Sequence, residues 1–218
     1  CKLRGVLRNQ KIKSTNPVVV GDQVEVVESK GSYLIDNIYD RKNCIVRRSV
    51  NLSKQTHVIA SNIDQAILMI TIGNPITTTA FIDRFLVSAN AFGVHVILLF
   101  NKIDLYDQQL KNKHNDYIVI YEKIGYKCIS TSLIDSNLEE LKLIMKNKIN
   151  IISGHSGVGK TTLINVLQPE LNLQTQEIST AHNQGQHTTT FSQLYDLDFG
   201  ASIIDTPGIK GFGLIKIN

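Results

Sequence analysis

The chain has 218 residues, of which 42% are hydrophobic and 19% are charged, a composition typical of a globular protein with one large or two modest domains. No apolar stretch is long enough to cross a bilayer as a helix, and no secretory signal is visible in these residues, which begin at Cys1 without a methionine. The three cysteines, Cys1, Cys44 and Cys128, form no C-x-x-C pair. Composition therefore argues against a helical membrane protein and a disulfide framework, and favours the reducing cytoplasm.

The charge is unevenly distributed along the chain. The formal net charge is +4, but residues 1–56 hold eleven basic and five acidic residues, which gives them +6 and leaves −2 for the remainder. This asymmetry favours a nucleic-acid-facing module joined to a near-neutral catalytic one. A basic face that is simply solvated would explain the charge equally well.

Residues 1–50 alternate short apolar runs with turn signals, which predicts strands at 2–8, 18–27, 33–39 and 44–47. The simplest arrangement of such strands is a small antiparallel barrel. The oligonucleotide-binding (OB) fold is the barrel in which basic grooves most often hold RNA. Tyr33 and Tyr39 could stack on bases or could be packing residues.

Residues 49–57 are polar and weakly patterned, so we predict a domain boundary between residues 56 and 57. Beyond it the pattern changes to alternating strands and helices. Strands are predicted at 66–72, 94–100, 127–130 and 149–153, and helices at about 79–92, 107–123 and 137–147. This alternation predicts an α/β domain with a mostly parallel sheet, in which ligands lie beyond the carboxyl ends of the strands.

The motif N-K-x-D follows the strand at 94–100 and contains Asn101, Lys102 and Asp104. The Asp104 carboxylate could accept from the ring N–H and the exocyclic amine of guanine, and adenine would leave it unpaired at a large cost. Lys102 could lay its aliphatic stem along the base. Alone the motif is weak, but a phosphate loop in the same chain makes guanine recognition the better interpretation.

The phosphate loop G-x-x-x-x-G-K-T occupies residues 154–161, between a predicted buried strand and a predicted helix. Its glycines let the backbone wrap a polyphosphate at the positive end of the helix dipole. Lys160 would reach the β- and γ-phosphates, and the Thr161 hydroxyl would hold Mg²⁺. The predicted nucleotide-binding residues here are Gly154, His155, Ser156, Gly157, Val158, Gly159, Lys160, Thr161 and Thr162.

A third candidate element follows the strand predicted at 201–204. Asp205 could hold Mg²⁺ through water, and the Gly208 N–H could sense a γ-phosphate. The hydroxyl-rich segment 185–190 could close on the metal and the γ-phosphate, or could be a β-prone surface strand.

These motifs occur in an unusual order: N-K-I-D at 101–104, the phosphate loop at 154–161, H-T-T-T at 187–190, and D-T-P-G-I at 205–209. The order resembles the circularly permuted GTPases of the ribosome small-subunit-dependent GTPase A family, RsgA or YjeQ. Ordinary GTPases place the guanine motif after the phosphate loop. The N-terminal part is similar to the family as well, at Leu3 to Gly5, Val20 to Asp22, Arg41 to Asn43, Ala60 to Gln65 and Ile82 to Arg84.

The resemblance implies an OB-fold RNA-binding domain at 1–56, incomplete at its start, followed by a permuted P-loop GTPase domain at 57–218. It also implies a C-terminal zinc-binding domain, whose cysteine and histidine cluster does not occur in this sequence. The family acts in late maturation of the small (30S) ribosomal subunit. The subunit stimulates GTP hydrolysis, and the GTPase then leaves it. We therefore expect a monomeric cytoplasmic GTPase whose partner is the small subunit and its rRNA.

The resemblance assigns two further roles. Ser130 corresponds to the loop that supports the base, and one of the threonines at 188–190, for which we take Thr189, binds Mg²⁺ with Thr161 and Asp205. The alternative function is an RNA-binding module in which the nucleotide is mainly structural. If the chain were a P-loop ATPase or a small-molecule kinase, the N-K-x-D motif would have no function.

Ile209 stands where many GTPases have the glutamine that orients the attacking water, so intrinsic turnover should be slow. We hypothesise that His187 takes over this role when the ribosome orders its segment, with Lys160 as the other catalytic residue. The alternative is that His187 is only solvated.

Overall fold

A computed structural model of the chain describes residues 2–3, 16–29, 31–48, 56–134, 138–173 and 192–205. Within these ranges no helix is long and apolar enough to span a membrane.

The N-terminal residues form two small sheets. Strands β1 (Lys2–Leu3), β2 (Val24–Ser29) and β3 (Ser32–Ile38) lie in the order β1-β3-β2, and β4 (Cys44–Arg48) pairs antiparallel with β5 (Thr56–Ser61). Strands were predicted close to β2, β3 and β4, but β2 begins six residues later than expected because Gly21 turns the chain with φ of +92°. Because the described strands lie in two separate sheets, the barrel stays a prediction. β5 was not predicted, because it begins with the polar residues Thr56 and His57 and its apolar part is only Val58 to Ala60.

A six-stranded sheet forms the centre of the rest of the chain. Its strands are β6 (Gln65–Ile70), β7 (His95–Phe100), β8 (Lys127–Ser130), β9 (Ile149–Ser153), β10 (Gln193–Leu197) and β11 (Ala201–Asp205). They lie in the order β10-β11-β9-β6-β7-β8, and every neighbouring pair is parallel except β10 with β11. This confirms the predicted mostly parallel sheet.

In the part of the chain that the structure describes, four helices cover this sheet: α1 (Thr79–Ala91), α2 (Gln108–Lys123), α3 (Glu139–Met145) and α4 (Lys160–Leu167). Short 3₁₀ turns occupy Ile103–Leu105 and Pro169–Leu171. Two helices begin at side-chain caps, since Thr78 accepts from the Phe81 N–H and Asp107 from the Leu110 N–H.

The core has two layers, one on each face of the sheet. Successive residues of β6 alternate between them: Leu68 and Ile70 pack in the layer that contains Phe85 of α1, whereas Ile67 and Met69 pack in the layer that contains Leu163 of α4. Because both faces are covered, every residue of β6 is buried.

The N-terminal residues that resemble the family meet where the small sheets join the large one. The Asp22 carboxylate accepts from the Arg41 guanidinium at 2.7 and 2.8 Å and from the Ser61 hydroxyl at 2.6 Å. Asn43 exchanges two hydrogen bonds with the backbone of Ile63. Gly21 approaches Ser61 so closely that a Cβ there would lie 2.0 Å from the Ser61 carbonyl oxygen. These residues therefore attach the N-terminal strands to the start of β6.

Buried polar side chains also lie at the edge of the large sheet where β6 and β9 begin. The Gln65 amide donates to Asn150 Oδ1 at 2.7 Å, and its oxygen accepts from Lys148 Nζ at 2.9 Å. Asn150 Nδ2 lies within hydrogen-bond distance of the carbonyl oxygens of Met145, Lys148 and Ser202. We call this cluster, Gln65, Lys148 and Asn150, the amino-edge network.

Candidate functional site

The predicted site residues gather at the opposite, carboxyl edge of the six-stranded sheet. Because β6, β7, β8, β9 and β11 are parallel, they all end at this edge. Asn101 follows β7, Gly154 follows β9, and Ser130 and Asp205 are the last residues of β8 and β11. The fold therefore brings together motifs that lie far apart in the sequence.

The phosphate loop has a backbone that only glycine adopts readily. Gly154, Gly157 and Gly159 have φ angles of +147°, +81° and +104°. A Cβ on Gly154 would lie 2.6 Å from the Met69 carbonyl oxygen, and one on Gly159 would lie 2.6 Å from Asn101 Nδ2. Gly154 and Gly159 are thus required both for the turn and for its close approach to Met69 and Asn101.

Lys160 begins α4 and is buried, with 8% of its surface exposed. Its ammonium group donates to the carbonyl oxygens of Gly154 at 3.0 Å and His155 at 2.7 Å. Burial lowers the pKa of Lys160 to about 8, against the opposing effect of the Asp205 carboxylate. A weakly compensated buried cation at the start of a helix is suited to bind phosphate.

Asn101 connects the N-K-x-D turn to the phosphate loop. Its side chain is 2% exposed, and its Nδ2 donates to the Val158 carbonyl oxygen at 2.8 Å. Its Oδ1 is buried and has no hydrogen-bond partner among the described residues. A buried acceptor without a hydrogen bond costs about 1–3 kcal/mol of folding free energy. A hydrogen bond from a ligand or a neighbouring donor would remove this cost.

Lys102 makes a second connection between the same two elements. It has a left-handed backbone with φ of +63°, and its ammonium group donates to the carbonyl oxygens of Gly157 at 2.9 Å and Asn74 at 3.0 Å. Burial lowers the pKa of Lys102. Asp104 is exposed in the 3₁₀ turn that follows.

Ser130 is exposed, and its hydroxyl lies 2.9 Å from His114 Nε2. Burial lowers the pKa of His114, whose ring contacts Phe100 edge-on. Sequence reasoning missed His114, because a histidine ten residues beyond the motif carries no signal until α2 folds back over β8.

The remaining described candidates lie around the phosphate loop. The His155 ring stacks on Phe81 of α1 with centroids 3.9 Å apart. Asp205 is 3% exposed and pairs in register with Ile152 of β9. Thr161 is half-buried in the first turn of α4, while Ser156 and Thr162 are exposed.

Two of these residues suit a magnesium ion. The Thr161 hydroxyl and the Asp205 carboxylate are hard oxygen donors, and Mg²⁺ is commonly bound by one or two protein oxygens together with phosphates and waters. No group of three or more histidine, cysteine, aspartate or glutamate side chains that could hold a metal occurs within the part of the chain that the structure describes. The two oxygen donors, Thr161 and Asp205, fit Mg²⁺ shared with a nucleotide. His187, Thr189 and Gly208 lie outside the described residues, and their roles stay predictions.

The chain matches the family model for the RsgA GTPase over residues 38–215. The small ribosomal subunit biogenesis GTPase RsgA of Flavobacterium psychrophilum is 55% identical over 222 residues, which cover 100% of this chain and 68% of the relative. The protein of the same name from Bacteroides fragilis is 49% identical over 215 residues, covering 98% of this chain and 69% of the relative.

Two solved structures have similar folds. YjeQ from Thermotoga maritima has a TM-score of 0.69 and 36% identity, over 95% of this chain and 66% of that one. YloQ, described as a circularly permuted GTPase, has a TM-score of 0.65 and 28% identity, over 100% of this chain and 65% of that one. The chain thus spans about two thirds of the length of the proteins that it matches.

Proposed function

The chain belongs to the RsgA GTPase family, and from this membership we propose that it hydrolyses GTP to GDP and phosphate in the biogenesis of the small ribosomal subunit. The observation that carries the proposal is the 2.8 Å hydrogen bond from Asn101 to Val158, because it joins the guanine motif to the phosphate loop in one site. The proposal extends to the whole protein, of which this chain covers about two thirds by comparison with its relatives.

We assign the base to the N-K-x-D turn. Asp104 is exposed at the carboxyl edge and accepts from the ring N–H and amine of guanine. The Asn101 amide keeps one N–H for a purine acceptor after it has bound Val158. The Lys102 stem covers the base, and Ser130 supports its far side.

The phosphates bind the backbone amides of the loop and Lys160. The Lys160 ammonium already lies against two loop carbonyls, and exchanging one of them for a phosphate oxygen would relieve its poorly compensated burial. Mg²⁺, held by Thr161, Thr189 and Asp205, would neutralise charge on the β- and γ-phosphates. Gly208 would sense the γ-phosphate.

Hydrolysis requires a water to attack the γ-phosphorus while the bond to the β–γ bridging oxygen breaks. His187 would orient that water and accept its proton, and Lys160 would stabilise the charge that develops on the departing GDP. Because Ile209 cannot orient water, we expect the rate without the ribosome to be low.

We propose that residues 1–56 belong to an OB-type RNA-binding domain and residues 57–218 to the GTPase domain. The charge of +6 in residues 1–56 supports contact with rRNA. Tyr33 and Tyr39 are 60% and 51% exposed, which favours base stacking over packing. The proposed protein is a cytoplasmic monomer that leaves the subunit upon hydrolysis, and its zinc-binding domain would be formed by residues other than these.

The test is steady-state turnover of GTP, with ATP as the control nucleotide, by the whole protein alone and with purified small or large ribosomal subunits. We expect small subunits alone to raise a slow GTP rate by tenfold or more. In the matched variant Asp104→Asn, preference should shift from GTP to xanthosine triphosphate, since an amide can donate to the oxygen that replaces the guanine amine. A flat rate with both subunits, combined with tightly held copurified nucleotide, would instead support the RNA-binding module with structural nucleotide.

A further inference from the structure

Tyr106 lies immediately after the N-K-x-D turn and is 5% exposed. Its hydroxyl makes two hydrogen bonds. It donates to the Asn101 carbonyl oxygen at 3.1 Å and accepts from the Ile72 N–H at 3.1 Å. The side chain therefore bridges the end of β7 to the segment that follows β6.

The backbone of Tyr106 holds the other end of the same turn. Its N–H donates to the Ile103 carbonyl oxygen at 3.2 Å, which closes the 3₁₀ turn containing Asp104. One residue thus fixes the chain directly before Lys102 and directly after Leu105. Between these points the stretch is also held by the hydrogen bonds of the Lys102 ammonium group to Gly157 and Asn74, and more weakly by the Ile103 N–H, which lies 3.4 Å from the Thr131 carbonyl oxygen.

The turn between these two anchors needs such restraint. Lys102 has φ of +63°, a left-handed conformation that costs a non-glycine residue on the order of 1 kcal/mol. Asn101 on one side of Lys102 is packed so closely that a Cβ on Gly159 would lie 2.6 Å from its amide nitrogen. A displacement of the Asn101 backbone would therefore disturb both the contact with the phosphate loop and the direction of Asp104.

We propose that Tyr106 is a positioning residue for guanine recognition, which holds Asn101 and Asp104 in the relative placement that distinguishes guanine from other purines. This inference rests on the proposed function. It adds a specificity determinant outside the N-K-x-D motif. Tyr106 itself makes no contact with the base and acts through the turn that it closes.

The test compares the affinities of the whole protein for GDP and inosine diphosphate (IDP), which differ only in the exocyclic amine that Asp104 would accept from. Tyr106→Phe keeps the buried ring and removes only the hydroxyl. We expect GDP affinity to fall about tenfold and IDP affinity about twofold, so that the preference for GDP falls about fivefold. A merely structural role would weaken both nucleotides equally.

Tyr121→Phe is the matched control. It also removes a buried tyrosine hydroxyl from a hydrogen bond, here to Asp83 at 2.9 Å, but that bond joins α2 to α1. This variant should keep the wild-type preference, and both variants should have similar melting temperatures. An unchanged preference in Tyr106→Phe, or its failure to fold while Tyr121→Phe folds, would overturn the inference and leave the proposed function intact. A wild-type protein that binds neither nucleotide would overturn both.

Discussion

The two edges of the six-stranded sheet bury similar polar side chains, but they differ in how completely those side chains are hydrogen-bonded. At the amino edge, the amides of Gln65 and Asn150 bind each other, and both bind neighbouring carbonyl oxygens. At the carboxyl edge, Asn101 Oδ1 and the Ser153 hydroxyl are buried with no hydrogen-bond partner among the described residues, and Lys160 is a buried cation with a lowered pKa. Burial of polar groups is common to both edges. Incomplete satisfaction of those groups distinguishes the candidate ligand site from the structural network.

The largest expected effect is at the carboxyl edge. Lys160→Met should reduce GTP affinity and turnover by a hundredfold or more, because the phosphates lose their buried cation. The melting temperature of the free protein should not fall, since the ammonium group is poorly compensated where it lies. Nucleotide titration and thermal unfolding would measure the two effects. A large loss of stability would contradict the distinction between the edges.

The reverse pattern is expected at the amino edge. Asn150→Ala removes the donor shared by three backbone carbonyl oxygens and should lower the free energy of unfolding by about 3 kcal/mol. Nucleotide affinity should change less than twofold. Asn101→Ala is the matched variant at the other edge, where we expect affinity to fall and stability to change by less than about 1 kcal/mol. Urea unfolding measures the stability of the two variants, and GDP titration measures their nucleotide affinity. A larger loss of affinity in Asn150→Ala than in Asn101→Ala would contradict the prediction.

A third test extends the comparison to the junction with the N-terminal sheets. Burial raises the pKa of Asp22, but hydrogen bonds from Arg41, Ser61 and the Val19 N–H outweigh it and hold the pKa below its ordinary value of 3.8. Because the folded-state pKa is the lower one, the ionised group stabilises the fold above pH 3.8 and loses this contribution as the pH falls further.

We expect Asp22→Asn to be about 2 kcal/mol less stable than wild type at pH 7, and the difference to shrink below pH 3.8. Urea unfolding at a series of pH values would measure it. A difference that stays constant down to pH 2.5 would show that the charge of Asp22 is not the cause.

The smallest expected effect is a proton taken up with nucleotide. The pKa of Lys160 is about 8 in the free protein, and bound phosphate should raise it. GDP binding should therefore take up about half a proton at pH 8 and almost none at pH 6.5. Calorimetric titration in two buffers of different ionisation enthalpy measures this uptake, and Lys160→Met serves as the control. Equal uptake in the variant would assign the proton to another group.

The sequence was sufficient to predict local structure where a motif and the strand and helix that flank it are contiguous in the chain. The strand, phosphate loop and helix around Gly154 to Thr161 follow one another directly, so their local geometry could be predicted before the fold was known. The mostly parallel sheet could be predicted from the alternation of apolar strands with helices. In both cases the signal lies within a window of about 20 residues.

The sequence failed where long-range contacts decide the structure. β10 carries polar residues and lies exposed at the sheet edge, so that no apolar run marks it. The barrel stays a prediction, since the described N-terminal strands form separate sheets of three and two. Tyr106 and His114 have no recognisable pattern, since their partners, Ile72 and Ser130, are 34 and 16 positions away.

The pairing of β6 with β9 at the centre of the sheet has a consequence for synthesis of the chain. These neighbours are separated by 85 positions at the Gln65 to Asn150 contact, a distance that takes roughly 4–17 s to translate at about 5–20 residues per second. During that interval one edge of β6 is unpaired, and the guanine motif exists without the phosphate loop that its asparagine binds. In a GTPase with ordinary motif order the phosphate loop would be made first. Here the site for guanine and phosphate together is complete only once residues 154–161 have been made, so that nucleotide binding follows the pairing of β6 with β9.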